Sequence, residues 1–145
     1  VDPIEMYKLA AEGGYPPAIY EMGNAHFKGR VGQGPDLAEA TKYWRRYVLG
    51  VKDKDQLPKS GVKAAFELGK LYKQGGEGIN RDMVAACSYF IFAQDRAMEE
   101  ELKDKIEEQI ISLKLNDDQK KVARKNLINP AWKKEQLKNT FQLNN

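Results

Sequence analysis

The sequence predicts an all-α chain built from a repeated pair of helices. Three observations carry this. A shift of 46 residues superposes Ala18 on Ala64, Glu21 on Glu67, Gly23 on Gly69, Gly29 on Gly75, Gly32 on Gly78, Asp36 on Asp82, Ala40 on Ala86 and Tyr43 on Tyr89. That is eight identities over the 33 pairs from residue 18 to residue 50, and no gap is needed. Apolar residues recur at helical spacing, and no segment reads as a strand. Short carboxylates and glycines stand where helices would start and stop.

Each element can be justified in chain order. Residues 4–12 (IEMYKLAAE) form a first helix, capped by Asp2, with Pro3 in its first turn and Gly13-Gly14 at its end. Ala18, Met22, Ala25 and His26 recur at helical spacing until Gly29. Leu37, Ala40, Tyr43, Trp44 and Tyr47 form the apolar stripe of the next helix, which Asp36 caps. Residues 51–61 (VKDKDQLPKSG) read as a polar loop insert. The pair then returns, with Tyr20 matched by Phe66, Met22 by Leu68, His26 by Tyr72, Leu37 by Met83 and Trp44 by Phe90. Asp82 caps its second helix. Gly23 and Gly69 fall in mid-helix, where glycine costs about 1 kcal/mol against alanine, so a close approach by a neighbouring helix is expected there. Residues 98–113 are amphipathic, with Met98, Leu102, Ile106, Ile110 and Leu113 on one face. Asn116 and Gln119 have the spacing of a capping box, and Val122, Ala123 and Leu127 give that helix its buried side. Asn129-Pro130 opens a weakly patterned last helix around Trp132. The resulting division is a half repeat at 1–17, a repeat at 18–50, the insert at 51–61, a repeat at 62–96, capping helices at 97–129 and a basic helix or tail at 130–145.

Composition narrows the function. A chain of 145 residues and 16.5 kDa suits one domain, with 41% apolar and 31% charged residues. One cysteine excludes an internal disulfide, and no run approaches the ~20 apolar residues of a membrane span. One histidine and one cysteine leave little for metal binding or His-based catalysis, so we expect no enzyme, no cofactor and no metal. Charge is arranged in blocks: residues 1–50 are net 0, 51–95 net +1, 96–118 net −4 and 119–145 net +6. Such blocks bear on partners rather than on fold. Val1 in place of Met leads us to expect a trimmed or processed N-terminus, and no signal peptide is visible within the chain.

Residues 64–75 (AAFELGKLYKQG), the turn 76–82 (GEGINRD) and residues 6–18 (MYKLAAEGGYPPA) resemble the Sel-one-like repeats, relatives of the tetratricopeptide repeats. Residues 18–29 fit with Met22 for Leu and His26 for Tyr, and residues 113–127 resemble the family's closing helix. The family's usual unit is shorter than 46 residues, and the 51–61 insert accounts for the difference. The resemblance implies a right-handed superhelix, an α-α solenoid of antiparallel helix pairs, that binds proteins. It implies a bacterial interaction module that neutralises a cognate protein, such as a secreted effector or toxin, as an immunity protein does. A periplasmic or envelope-assembly adaptor is the alternative. Periplasmic localisation is favoured by this resemblance alone. No small-molecule substrate is expected, and oligomeric state is left open.

The groove expected from the resemblance is lined by Tyr20, Asn24, Phe27 and Lys28 and by their partners 46 residues on, Phe66, Lys70, Lys73 and Gln74. Aromatics supply rigid contact area and lysines steer acidic partners. Competing chemistry is weaker. His26 occupies the repeat's aromatic slot. Cys87 reads as a small buried hydrophobe. The loops at 29–34 and 75–78 lack the strand and the Lys-Ser/Thr of a phosphate loop. Glu99, Glu100 and Glu101 are consecutive and so do not face one another on a helix. The rival signal is the basic tail, where Lys120, Lys121, Arg124, Lys125, Lys133, Lys134 and Lys138 surround Trp132 and Phe141. Nucleic acid or an anionic membrane could use it. The neighbouring acidic segment could neutralise it, and nucleic acid is disfavoured.

Overall fold

The computed structural model describes residues 2–50, 58–138 and 140. Eight helices occupy them: α1 (Pro3–Glu12), α2 (Pro16–Phe27), α3 (Leu37–Gly50), α4 (Lys59–Gln74), α5 (Met83–Arg96), α6 (Glu100–Ser112), α7 (Asp117–Asn126) and α8 (Pro130–Leu137). The chain is all-α, with no strand among the described residues; a single bridge joins Gly76 and Ile79.

The caps lie where the short polar residues predict them. Asp2 accepts from the Ile4 N–H at 3.0 Å, Asp36 from Glu39 at 3.0 Å, and Asp82 from Ala85 at 2.9 Å. Each carboxylate meets an amide that a first helical turn leaves without an internal partner. Asn116 and Gln119 complete a reciprocal capping box at 2.8 and 2.9 Å. Asn129 accepts from Ala131 at 2.9 Å.

The 46-residue repeat is visible in the geometry. The Asp36 N–H donates to the His26 carbonyl at 2.9 Å, and the Asp82 N–H donates to the Tyr72 carbonyl at the same distance. Both turns pass through left-handed glycines, Gly29 at φ +73° and Gly75 at φ +71°. The His26 ring stacks on Tyr43 with centroids 5.5 Å apart, and Tyr72 stacks on Tyr89 at 5.6 Å.

The two mid-helix glycines mark the tightest packing. A Cβ on Gly23 would lie 2.3 Å from Trp44 Nε1, and one on Gly69 would lie 2.4 Å from Phe90 Cε1. The indole of α3 therefore rests on the bare backbone of α2, and the phenyl ring of α5 on that of α4. Both rings are fully buried. The gain from burying a ring outweighs the modest propensity cost of one glycine.

Packing is mostly between neighbours in sequence: α1 on α2, α2 on α3, α3 on α4, and α4 on α5. α5 also meets α6 and α7, and α8 returns to α3. Arg45 donates to the Gln136 carbonyl at 2.7 Å, Tyr89 Oη donates to Gln136 Oε1 at 2.6 Å, and Trp132 packs on Tyr89.

Four sequence expectations are corrected. Lys59–Gly61, read as the end of the insert, form the first turn of α4, because the Gly61 N–H bonds back to the Pro58 carbonyl and helical bonding begins there; residues 51–57 lie outside the described residues. Met98 is 85% exposed, because α6 starts only at Glu100 and Met98 lies in the connection before its cap. Val122 is also exposed: α7 meets α5 along a narrow line through Ala123, whose carbonyl accepts from Ser88 Oγ at 2.8 Å. Leu37 opens α3 at the surface, and the buried stripe begins at Ala40.

Candidate protein-binding face

The eight residues expected to line a groove fall on one stripe of α2, ending at its C-cap Lys28, and on its counterpart in α4. Four lie at intervals of four, three and one residues on each helix, which keeps them on one side at 3.6 residues per turn. Their rings are half-buried and held by the helices behind. Tyr20 packs on Tyr47 at 5.3 Å, Phe27 on Trp44 at 5.2 Å, and Phe66 on Phe90 at 5.8 Å. Tyr47 links the two stripes, because its hydroxyl also meets Ser60 Oγ of α4 at 2.7 Å.

The polar members differ among themselves. Lys70 pairs with Glu67 at 2.8 Å and sits 4.6 Å above the Phe66 ring. Lys73 donates to Gln109 Oε1 at 3.1 Å and to Ser112 Oγ at 2.7 Å, so it ties α4 to α6. Asn24, Lys28 and Gln74 make no side-chain hydrogen bond among the described residues, and Lys28 and Gln74 are exposed. The stripe is thus an aromatic base with polar groups above it. Two of its four +46 pairs, Asn24 with Lys70 and Phe27 with Lys73, have taken up different packing in the two copies.

His26 lies beside this stripe. Burial lowers its pKa, while Glu39 and Asp36 raise it less. Its Nδ1 is buried without a hydrogen-bond partner among the described residues, which suits a neutral ring. The sign follows directly. The folded pKa lies below the unfolded value, so the unfolded chain binds the proton more readily. The stabilisation is present above the unfolded pKa of about 6.5 and is lost as pH falls through the folded value. We expect His26→Phe to narrow the loss of stability between pH 7.5 and pH 5 relative to the parent chain. Urea melts of both proteins across that range check this.

Cys87 is wholly buried in α5, and burial pushes its thiol pKa up against the opposing pull of Lys120 and Arg124. A thiol in that state is a poor nucleophile. Both glycine-rich segments are the turns already described. Glu99, Glu100 and Glu101 engage Lys59, Lys103 and Lys105 respectively, each at 3.6 Å. These three carboxylates pair with lysines of α4 and α6 rather than with the basic C-terminal segment, whereas Glu107 of α6 lies beside Lys120, Lys121 and Arg124 near Cys87. Of that segment only Arg124 is in an ion pair among the described residues, with Asp95 at 3.2 Å. Phe141 lies outside the described residues.

Sequence reasoning missed the part played by Gln136. It bonds to α3 through its carbonyl and to α5 through its side chain. A single glutamine in a weakly amphipathic helix gives no signal of such a role.

Fold and site together define an all-helical, repeat-built chain with an aromatic-based polar face. No family model, no curated protein and no solved structure matches the chain.

Proposed function

We propose that the chain is a Sel-one-like repeat solenoid, with antiparallel helix pairs wound into a right-handed superhelix, and that it binds a protein partner without catalysis. The observation that carries this reading is the geometric duplication. Turn closure, stacked rings and glycine–aromatic contact all recur 46 residues apart. In solenoids of this kind successive first helices line one face, which suits an extended protein surface. The aromatic stripe of α2 and α4 is fixed by the rings behind it, so little side-chain freedom is lost on contact. The fullest form of the reading is neutralisation of a cognate bacterial protein by covering its working surface. An envelope-assembly scaffold would use the same face.

The test is affinity capture of partners from the source organism by the intact chain, beside a Lys28→Glu/Lys70→Glu variant. These side chains are chosen because Phe27 and Phe66 also hold the core. One dominant protein should be captured, with affinity reduced at least about tenfold by the double reversal. Inhibition of that protein's activity by the chain would support neutralisation. A partner held equally by the variant would remove the assignment of this face.

A further inference from the structure

A second surface lies on the side of α3 and α5, away from the stripe on α2 and α4. Leu49 in the last turn of α3 and the length of α8 border an open, shallow cleft of about 770 Å³. Leu49, Pro130, Ala131 and Leu137 give it an apolar floor. Lys133, Lys134 and Lys138 stand around it, with Glu135 the sole carboxylate in its lining. A second cleft of about 400 Å³ shares Leu49 and continues past Phe92, Leu127 and Ile128 toward Lys125, Arg96 and the Arg124–Asp95 ion pair. Ile128 is 79% exposed beside it. None of Lys125, Lys133, Lys134 and Lys138 is in an ion pair among the described residues.

We infer that this lysine-rimmed apolar groove docks an acidic amphipathic segment of a partner protein. Charge complementarity selects the occupant. The segment from residue 119 to residue 145 is net +6, and four of its six lysines, Lys125, Lys133, Lys134 and Lys138, line these two clefts, while Lys120 and Lys121 lie elsewhere beside Glu107. An acidic chain with apolar side chains every third or fourth residue fits both features: carboxylates meet the rim and apolar groups meet the floor. Residues 139–145 (NTFQLNN) contain no acidic residue, and residues 51–57 (VKDKDQL) are net 0, so neither supplies that charge from within the chain. A phosphate backbone would use the lysines but not the floor. Trp132, which could offer a base-stacking platform, is half-buried against Tyr89. A membrane would engage the protruding Ile128 but would not reach Leu49, which is 5% exposed between α3 and α8.

The test measures binding of a fluorescent 15-residue Glu/Leu amphipathic peptide to the full chain by anisotropy. A 15-residue polyglutamate, a 15-nucleotide single strand and phosphatidylserine vesicles are run beside it. Two variants report on the groove. Lys133→Glu/Lys134→Glu reverses the rim. Ala131→Glu puts a carboxylate in the floor at the start of α8, where a helix tolerates negative charge and the fold should hold. Thermal melts confirm that both stay folded. The Glu/Leu peptide should bind, and each variant should weaken it about tenfold or more. Lys28→Glu/Lys70→Glu on α2 and α4 should leave this binding unchanged, which separates the groove from the other face. Equal binding of polyglutamate, preference for the nucleic acid or the vesicles, or indifference to Ala131→Glu would each overturn the proposal. So would tight peptide binding only after removal of residues 139–145, since the chain itself would then fill the groove.

Discussion

Trp44→Ala should cost about 3–5 kcal/mol of folding stability, the range for removing a large aromatic from a packed core. The indole is 1% exposed and packs against α2 at both Gly23 and Phe27. It rests on the bare backbone at Gly23, it carries the Phe27 ring at 5.2 Å, and it belongs to the continuous core. α2 does not collapse fully into the vacancy, because the Asp36–His26 turn closure and the His26–Tyr43 and Tyr20–Tyr47 ring contacts still hold it off α3. The cavity therefore stays, and its cost adds to the lost transfer energy. Urea denaturation with unchanged m-value would measure the difference. A loss under about 1 kcal/mol would show that the site relaxes and that the glycine–indole contact does not fix the helix spacing.

Gly69→Ala should also destabilise, although alanine is the better helix former by about 1 kcal/mol. The new methyl would lie 2.4 Å from Phe90 Cε1, and that ring is fully buried. Relief needs movement of α4 against α5 or an off-rotamer phenyl, and overpacking of this kind costs about 1–3 kcal/mol. The net expected loss is about 0–2 kcal/mol after the propensity gain is subtracted. Phe90→Leu in the same chain should recover part of it, because the two changes share one contact. A stabilised Gly69→Ala chain would mean that the glycine serves no packing purpose.

These two positions also explain what was legible in the sequence. A glycine in mid-helix is a local cost, so its appearance at both 23 and 69 announced a close approach, and the aromatic pair at 44 and 90 supplied the partner. Caps were legible for a similar reason, since Asp2, Asp36, Asp82 and Asn116 act on amides within three residues. The line between helix and connection was less so. Pro58-Lys59-Ser60-Gly61 looks like loop by composition, yet α4 begins there. Met98 continues a periodicity that the backbone abandons at Ala97. Periodicity shows which residues share a face only after a helix is granted, and it does not say where the helix starts.

The candidate face was legible in outline. The 46-residue register placed four residues along each of two helices, and seven of them lie within α2 and α4, with Lys28 at the C-cap of α2. It could not show that Lys73 would be taken up by α6, because Gln109 and Ser112 lie 36 and 39 residues away and belong to no repeat. The lysine-rimmed groove was half legible. The lysines were visible as a charge block, whereas its floor combines Leu49 with residues beyond 129, and only the return of α8 brings them together.

That return has a consequence for how the chain comes apart. In an array where each helix touches only its neighbours, the last unit can melt while the rest stands. Here Arg45 meets Gln136 across 91 residues, and Arg46 meets Thr140 across 94. Closing so long a loop is a single entropic cost, and it is recovered only when both ends are in place. Opening of the C-terminal helix therefore uncovers α3 and α5 together. Through one short helix, a chain with the local contacts of a linear array ties its end back to its first full unit.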